Sequence, residues 1–138
     1  MVLQKRIEKF WEAVMQKDLD GIDSVYIPSE ETYVILEGPR YSTLGHSKIM
    51  KGWRDFCGST ITMAGFKWIE GPFEEIEEQM GWIGGITDLS LEVNGKEFKN
   101  RFRISFVMKK MNEDWKIKHE HVSAPMKDPY GVGDWLKK

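Results

Sequence analysis

Apolar residues near the N-terminus recur every three or four positions: Leu3, Ile7, Phe10, Trp11, Val14 and Met15. Lys5, Arg6, Glu8, Lys9 and Glu12 fall mostly on the rest of the wheel, so the spacing predicts an amphipathic helix over 2–17. Asp18 suits the N-cap of a short second helix carrying Leu19, Ile22 and Val25, which Pro28 closes. Residues 32–36 (TYVIL) are β-branched and aromatic and predict a strand, turned by Gly38-Pro39. Helical spacing returns from Gly45 to Cys57 through Ile49, Met50, Trp53 and Phe56. From about Ile61 to Pro125 the chain reads as strands joined by turns. Helices and one strand followed by a run of strands predict an α+β fold, with helices on one face of an antiparallel sheet.

Two turns set the register of that sheet. Asn94-Gly95 between apolar runs is a strong hairpin signal, and it pairs Leu91 with Phe98, Thr87 with Phe102, Gly85 with Ile104 and Ile83 with Phe106. The opposite face then pairs Asp88 with Arg101, Ile86 with Arg103 and Trp82 with Val107, the first a candidate cross-strand ion pair. A second turn at Asn112-Glu113 sets Met108 opposite Ile117, Phe106 opposite His119 and Ile104 opposite His121. A one-residue slip would carry Lys116, Lys118 and Glu120 to the apolar side, so this register places His119 and His121 on the inner face. Gly81, Gly84 and Gly85 fall within a strand and predict a close backbone approach or a sharp sheet bend. The cluster Glu74, Glu75, Glu77, Glu78 is expected to be a solvated strand face or turn.

Composition narrows the function classes. The 138 residues are one domain long (core about 3–126, tail 127–138), and seven Phe, six Trp and four Tyr exclude disorder. A net charge of −2 gives no overall basic field for nucleic acid. The single cysteine, Cys57, excludes an internal disulfide. No apolar run is long enough for a membrane span and the N-terminus lacks a signal-peptide core, so a cytoplasmic location is expected.

Two imidazoles at i and i+2 facing an aromatic wall would orient a polar ligand in an apolar pocket, and their ordinary pKa suits proton transfer. His119 and His121 are therefore the candidate catalytic pair if the chain is an enzyme. Trp11, Met15, Tyr33, Tyr41, Trp53, Phe102, Ile104, Phe106 and Ile117 are the candidate lining. The bland alternative is that both histidines are hydrogen-bonded core residues of a non-catalytic dimerisation or binding module with a filled interior. A third reading uses His119 and His121 as two metal ligands, with His46, Cys57 or Glu12 completing the set. No cofactor is implied, because there is no glycine-rich phosphate loop, and no serine sits in a nucleophile elbow. In the tail, Tyr130 and Trp135 either anchor the chain across the pocket mouth or a dimer partner, or the segment is disordered.

Three stretches resemble a SnoaL-like domain of the nuclear-transport-factor-2-like superfamily. They are the N-terminal helix running into Lys17-Asp18-Leu19-Asp20-Gly21-Ile22, the helix led by Gly45, and the strand Trp115-Lys116-Ile117-Lys118-His119-Glu120-His121-Val122-Ser123. The resemblance implies a cone of three helices on a strongly curved antiparallel sheet, with a small-molecule pocket between them. It also implies a homodimer through the outer sheet face, here Trp82, Ile86, Arg101, Arg103, Val107 and Val122. Catalytic members of the superfamily use acidic residues or Tyr/Asp/His sets in the pocket, whereas the register above puts no Asp or Glu on the inner face. Phe106 stands where the related kinase association domain carries an arginine, which favours an apolar or aromatic ligand over an anionic one. An isomerase, cyclase or dehydratase type of proton transfer is the corresponding expectation for activity.

Overall fold

The computed structural model describes residues 1–131 and 133; the expectation for Trp135 falls outside them. Three helices, α1 (Val2–Met15), α2 (Leu19–Val25) and α3 (His46–Cys57), pack on one six-stranded sheet. Its strands are β1 (Tyr33–Ile35), β2 (Thr43–Leu44), β3 (Ile61–Glu77), β4 (Met80–Val93), β5 (Lys96–Met111) and β6 (Asp114–Ser123). They lie in the order β2-β1-β6-β5-β4-β3. The four long strands form an antiparallel run, and β1 joins β6 in parallel, making the sheet mixed. Among the described residues no helix is long and apolar enough to cross a membrane.

The helices form for the reasons the pattern gives. α1 buries Leu3, Ile7, Phe10, Trp11 and Val14 as one stripe. The Asp18 carboxylate accepts from the Gly21 N–H at 3.1 Å and caps α2. α1 has no side-chain cap of its own. Instead Glu74, from the far end of β3, accepts from the Leu3 and Gln4 N–H groups at 3.1 and 3.0 Å. One member of the acidic cluster is thus a helix cap supplied across the fold, where negative charge meets the positive end of the helix dipole.

The β4–β5 hairpin has the pairing set by Asn94-Gly95, both of which have positive φ. Asp88 and Arg101 form a two-pronged ion pair at 2.7 and 3.0 Å, and the guanidinium hydrogen bonds hold the Asp88 carboxyl below its ordinary pKa. Gly84 and Gly85 of β4 sit where β3 bends across it. β3 shifts register between Trp68 and Glu70 and again between Glu70 and Phe73, and a Cβ on Gly85 would lie 2.4 Å from the Glu70 carbonyl oxygen.

The β5–β6 hairpin departs from the single register expected of it. Met108 faces Ile117 as the turn dictates, but Val107 then faces His119, leaving Lys118 as an extra residue without a counterpart. This bulge reverses the alternation of everything beyond it. Phe106 faces Glu120, Ser105 faces His121 and Ile104 faces Val122. Glu120 and Val122 therefore turn inward, while His119 and His121 turn to the outer face. The expected inner placement of the two histidines, and the outer placement of Val122, are corrected accordingly.

Candidate functional site

A cavity of about 490 Å³ opens at the wide end of the cone. Phe10, Trp11 and Val14 of α1 line one side, and Ile49, Trp53 and Phe56 of α3 line another. The sheet contributes Met63, Leu89, Leu91, Phe102, Val122 and Val34. Leu36 to Arg40, with Ser42, Thr43, Lys48, Gly52 and Asp55, complete the lining, and Glu37, Arg40, Lys48 and Asp55 of this set are exposed. The deep surface is apolar and the charges stand at the rim.

One ionisable group interrupts the apolar interior. Glu120 is 3 % exposed and is the one buried carboxyl among the described residues. Its Oε1 accepts the Tyr26 hydroxyl at 2.6 Å, and the Trp53 indole N–H donates to the same hydroxyl oxygen at 3.1 Å. Among the described residues no hydrogen bond is made to Oε2, and Glu120 lines the cavity. Burial pushes the Glu120 carboxyl up to about 7, against a smaller downward pull from the Tyr26 hydrogen bond. Burial also raises Tyr26 well above its ordinary value, and the adjacent carboxylate adds to it. At neutral pH the site therefore holds a carboxyl shared between its two protonation states and a phenol that keeps its proton.

The aromatic rings fix this arrangement. Phe10 meets the Tyr26 and Trp53 rings edge-on, both with centroids 5.7 Å away, and Trp53 meets Phe56 edge-on at 5.5 Å. Phe10 thus contacts both the indole and the phenol, and Phe56 packs on the indole as well.

Of the residues expected in the site from sequence, Trp11, Trp53 and Phe102 line the cavity. Ile104, Phe106 and Ile117 are inward-facing but belong to the packed hydrophobic core and do not line the cavity. Met15 is half-buried against that core and is not part of the lining. Tyr41 is 98 % exposed, and the Tyr33 side chain lies on the outer face, where its ring stacks on His119. The His119 Nδ1 lies 2.8 Å from the Tyr33 carbonyl oxygen, so that nitrogen carries the proton. Neither histidine lines the cavity, and among the described residues no group of three or more His, Cys, Asp or Glu side chains is placed to hold a metal ion.

Sequence reasoning missed Glu120, Tyr26 and Val34. The available signal was Val122, an apolar side chain that a single register leaves on the outer face together with Glu120. Reversing the alternation after Lys118 puts that valine inside and brings the glutamate with it.

Three helices closed over a curved sheet, with an internal cavity reaching a buried carboxyl, define a cone-shaped α+β domain. The chain belongs to the SnoaL-like domain family, whose model matches residues 3–127. Solved structures share the fold. A nuclear transport factor 2-like superfamily protein from Salmonella enterica superposes with a TM-score of 0.79 at 22% identity, covering 96% of this chain and 94% of that one. A ketosteroid isomerase-like protein from Erwinia carotovora gives 0.71 at 11% identity, covering 90% and 95%. A nuclear transport factor 2-like protein from Cytophaga hutchinsonii gives 0.70 at 16% identity, covering 90% and 96%. Comparison with curated proteins yields no match.

Proposed function

We propose that the chain binds a small, largely apolar molecule in the cavity and that Glu120 moves a proton on it, in an isomerase, cyclase or dehydratase type of step. The observation that carries this reading is a lone buried carboxyl with its pKa near neutrality in the lining of an apolar cavity. A group balanced in this way can take a proton from an acidified carbon and return it elsewhere at physiological pH. Family membership and the ketosteroid isomerase-like neighbour agree with such chemistry. The cavity itself supports this reading over a module with a filled interior.

The test is deuterium uptake α to the carbonyl in a panel of apolar cyclic ketones, ketosteroids among them, followed by NMR in D₂O. The expected result is uptake by the native protein and a loss of roughly 10²-fold or more in Glu120→Gln. Uptake that persists in E120Q removes the glutamate from the chemistry. Ketones that bind without exchange point to the non-catalytic binding reading instead.

A homodimer through the outer sheet face is the second proposal, motivated by Trp82, which stays 45 % exposed beside half-buried Ile86 and Val107 with Arg101 and Arg103 around them. Exposed aromatics and arginines of this kind are enriched at interfaces. Val122, now inside the cavity, drops out of that surface. Light scattering should give twice the mass of the chain, falling to one chain in Trp82→Glu. A native protein that is monomeric at tens of micromolar would rule the interface out.

A further inference from the structure

We propose that Trp53 is a positioning residue for Glu120: its indole N–H occupies the acceptor side of the Tyr26 hydroxyl, directs the hydroxyl proton onto Oε1, and so sets how readily Glu120 gives up its proton. The inference rests on the reading of Glu120 as the proton-moving group. It adds a control element that sits on a different part of the fold.

The geometry is a chain of two hydrogen bonds ending on a carboxyl. A phenol has one proton to donate and lone pairs to accept with. In this site the indole of α3 uses the accepting side at 3.1 Å and the carboxylate of β6 receives the proton at 2.6 Å. A phenol oxygen that accepts an N–H is polarised into a better donor, so the outer bond strengthens the inner one. The ionised form of Glu120 gains from that, and the protonated form gains less. The same indole bond lowers Tyr26's own proton affinity, the direction this coupling requires.

No competing charge obscures the effect. The elements packed around Glu120 present Phe10, Trp11 and Val14 from α1, Val34 from β1, and Phe106 with Ile104 from β5. Buried Thr32 spends its hydroxyl on the Ile27 carbonyl at 2.8 Å. The charged groups of the same cavity, Glu37, Arg40, Lys48 and Asp55, are exposed at its rim, where water screens them. His119 and His121 lie on the other face of the sheet. Trp53 also lines the cavity, so a bound molecule that presses on the indole acts on the carboxyl through Tyr26.

The experiment is a carboxyl titration of the full chain labelled with [δ-¹³C]glutamate, from about pH 4 to about pH 9. Glu120 is assigned by the resonance lost in Glu120→Gln. The native midpoint is expected near neutrality, and Trp53→Phe should raise it by about half a pH unit or more. In the native protein the Trp53 indole ¹H–¹⁵N resonance should move with the same midpoint as Glu120. A folded W53F with an unchanged midpoint overturns the proposal. So does a native indole resonance indifferent to the Glu120 titration, a measurement that stands even if W53F does not fold. Neither readout needs a substrate: a shifted midpoint in W53F with no ketone turned over would sink the proposed activity and leave the coupling intact.

Discussion

Glutamine at position 120 should remove a pH-dependent loss of stability of about 3 kcal/mol that the native protein suffers between mildly acid and neutral pH. The sign follows from the two states. Unfolded, the Glu120 carboxyl titrates near its ordinary 4.5; folded, burial raises it to about 7. Below about pH 4.5 both states hold the proton and the group costs nothing extra. Between about 4.5 and about 7 the folded state binds the proton and the unfolded state does not, so each rising pH unit removes up to about 1.4 kcal/mol. Above about 7 both are ionised and the loss levels off. A glutamine keeps the shape and can still accept the Tyr26 hydroxyl, but it carries no titration. The measurement is the difference in unfolding free energy between the native protein and E120Q by denaturant titration across this pH range. Parallel profiles would mean that the carboxyl is not desolvated in the folded protein.

Alanine at Gly85 should destabilise the fold by about 2–4 kcal/mol, because its methyl has nowhere to go. The added carbon would stand 2.4 Å from the Glu70 carbonyl oxygen and 3.3 Å from the Trp68 ring. The first of these is backbone, so no rotamer change relieves it. Relief requires the bent part of β3 to lift away from β4, and Trp68 is anchored there by its indole bond to Glu8 at 2.9 Å and its tilted ring contact with Trp11 at 5.2 Å. The damage therefore reaches α1 and one wall of the cavity. A two-state melt of G85A with an unchanged midpoint would show that the two strands are not pressed together at this point.

Most of the architecture was legible because strong local signals agreed with one another. Helical spacing placed α1 and α3, Asp18 announced the cap of α2, and Asn94-Gly95 fixed the whole β4–β5 ladder. The glycines of β4 were legible as a close approach, though which backbone atom approached them was not. The site was less legible, for a specific reason. A turn dictates register only as far as alternation is unbroken, and in β6 alternation holds from Asp114 to Ile117 and breaks at Lys118. Burial energy forbids a uniform slip of the strand. It does not forbid a local one, where Trp115 and Ile117 stay inside and only the stretch beyond changes sides. Tyr26 escaped for a different reason: it follows α2 outside any periodic run, and what places it inward is the bridge it forms with Ile117.

That interruption makes β6 a strand read in two frames, much as an inserted base shifts the reading of codons. From residue 115 to 117 the odd positions belong to the interior; from 119 onward the even ones do. The packed core and the lining of the cavity are thus written in opposite parity on one short segment. Substitutions in the first frame bear on whether the domain folds, and substitutions in the second on what its cavity accepts. A single residue, Lys118, keeps the two vocabularies apart.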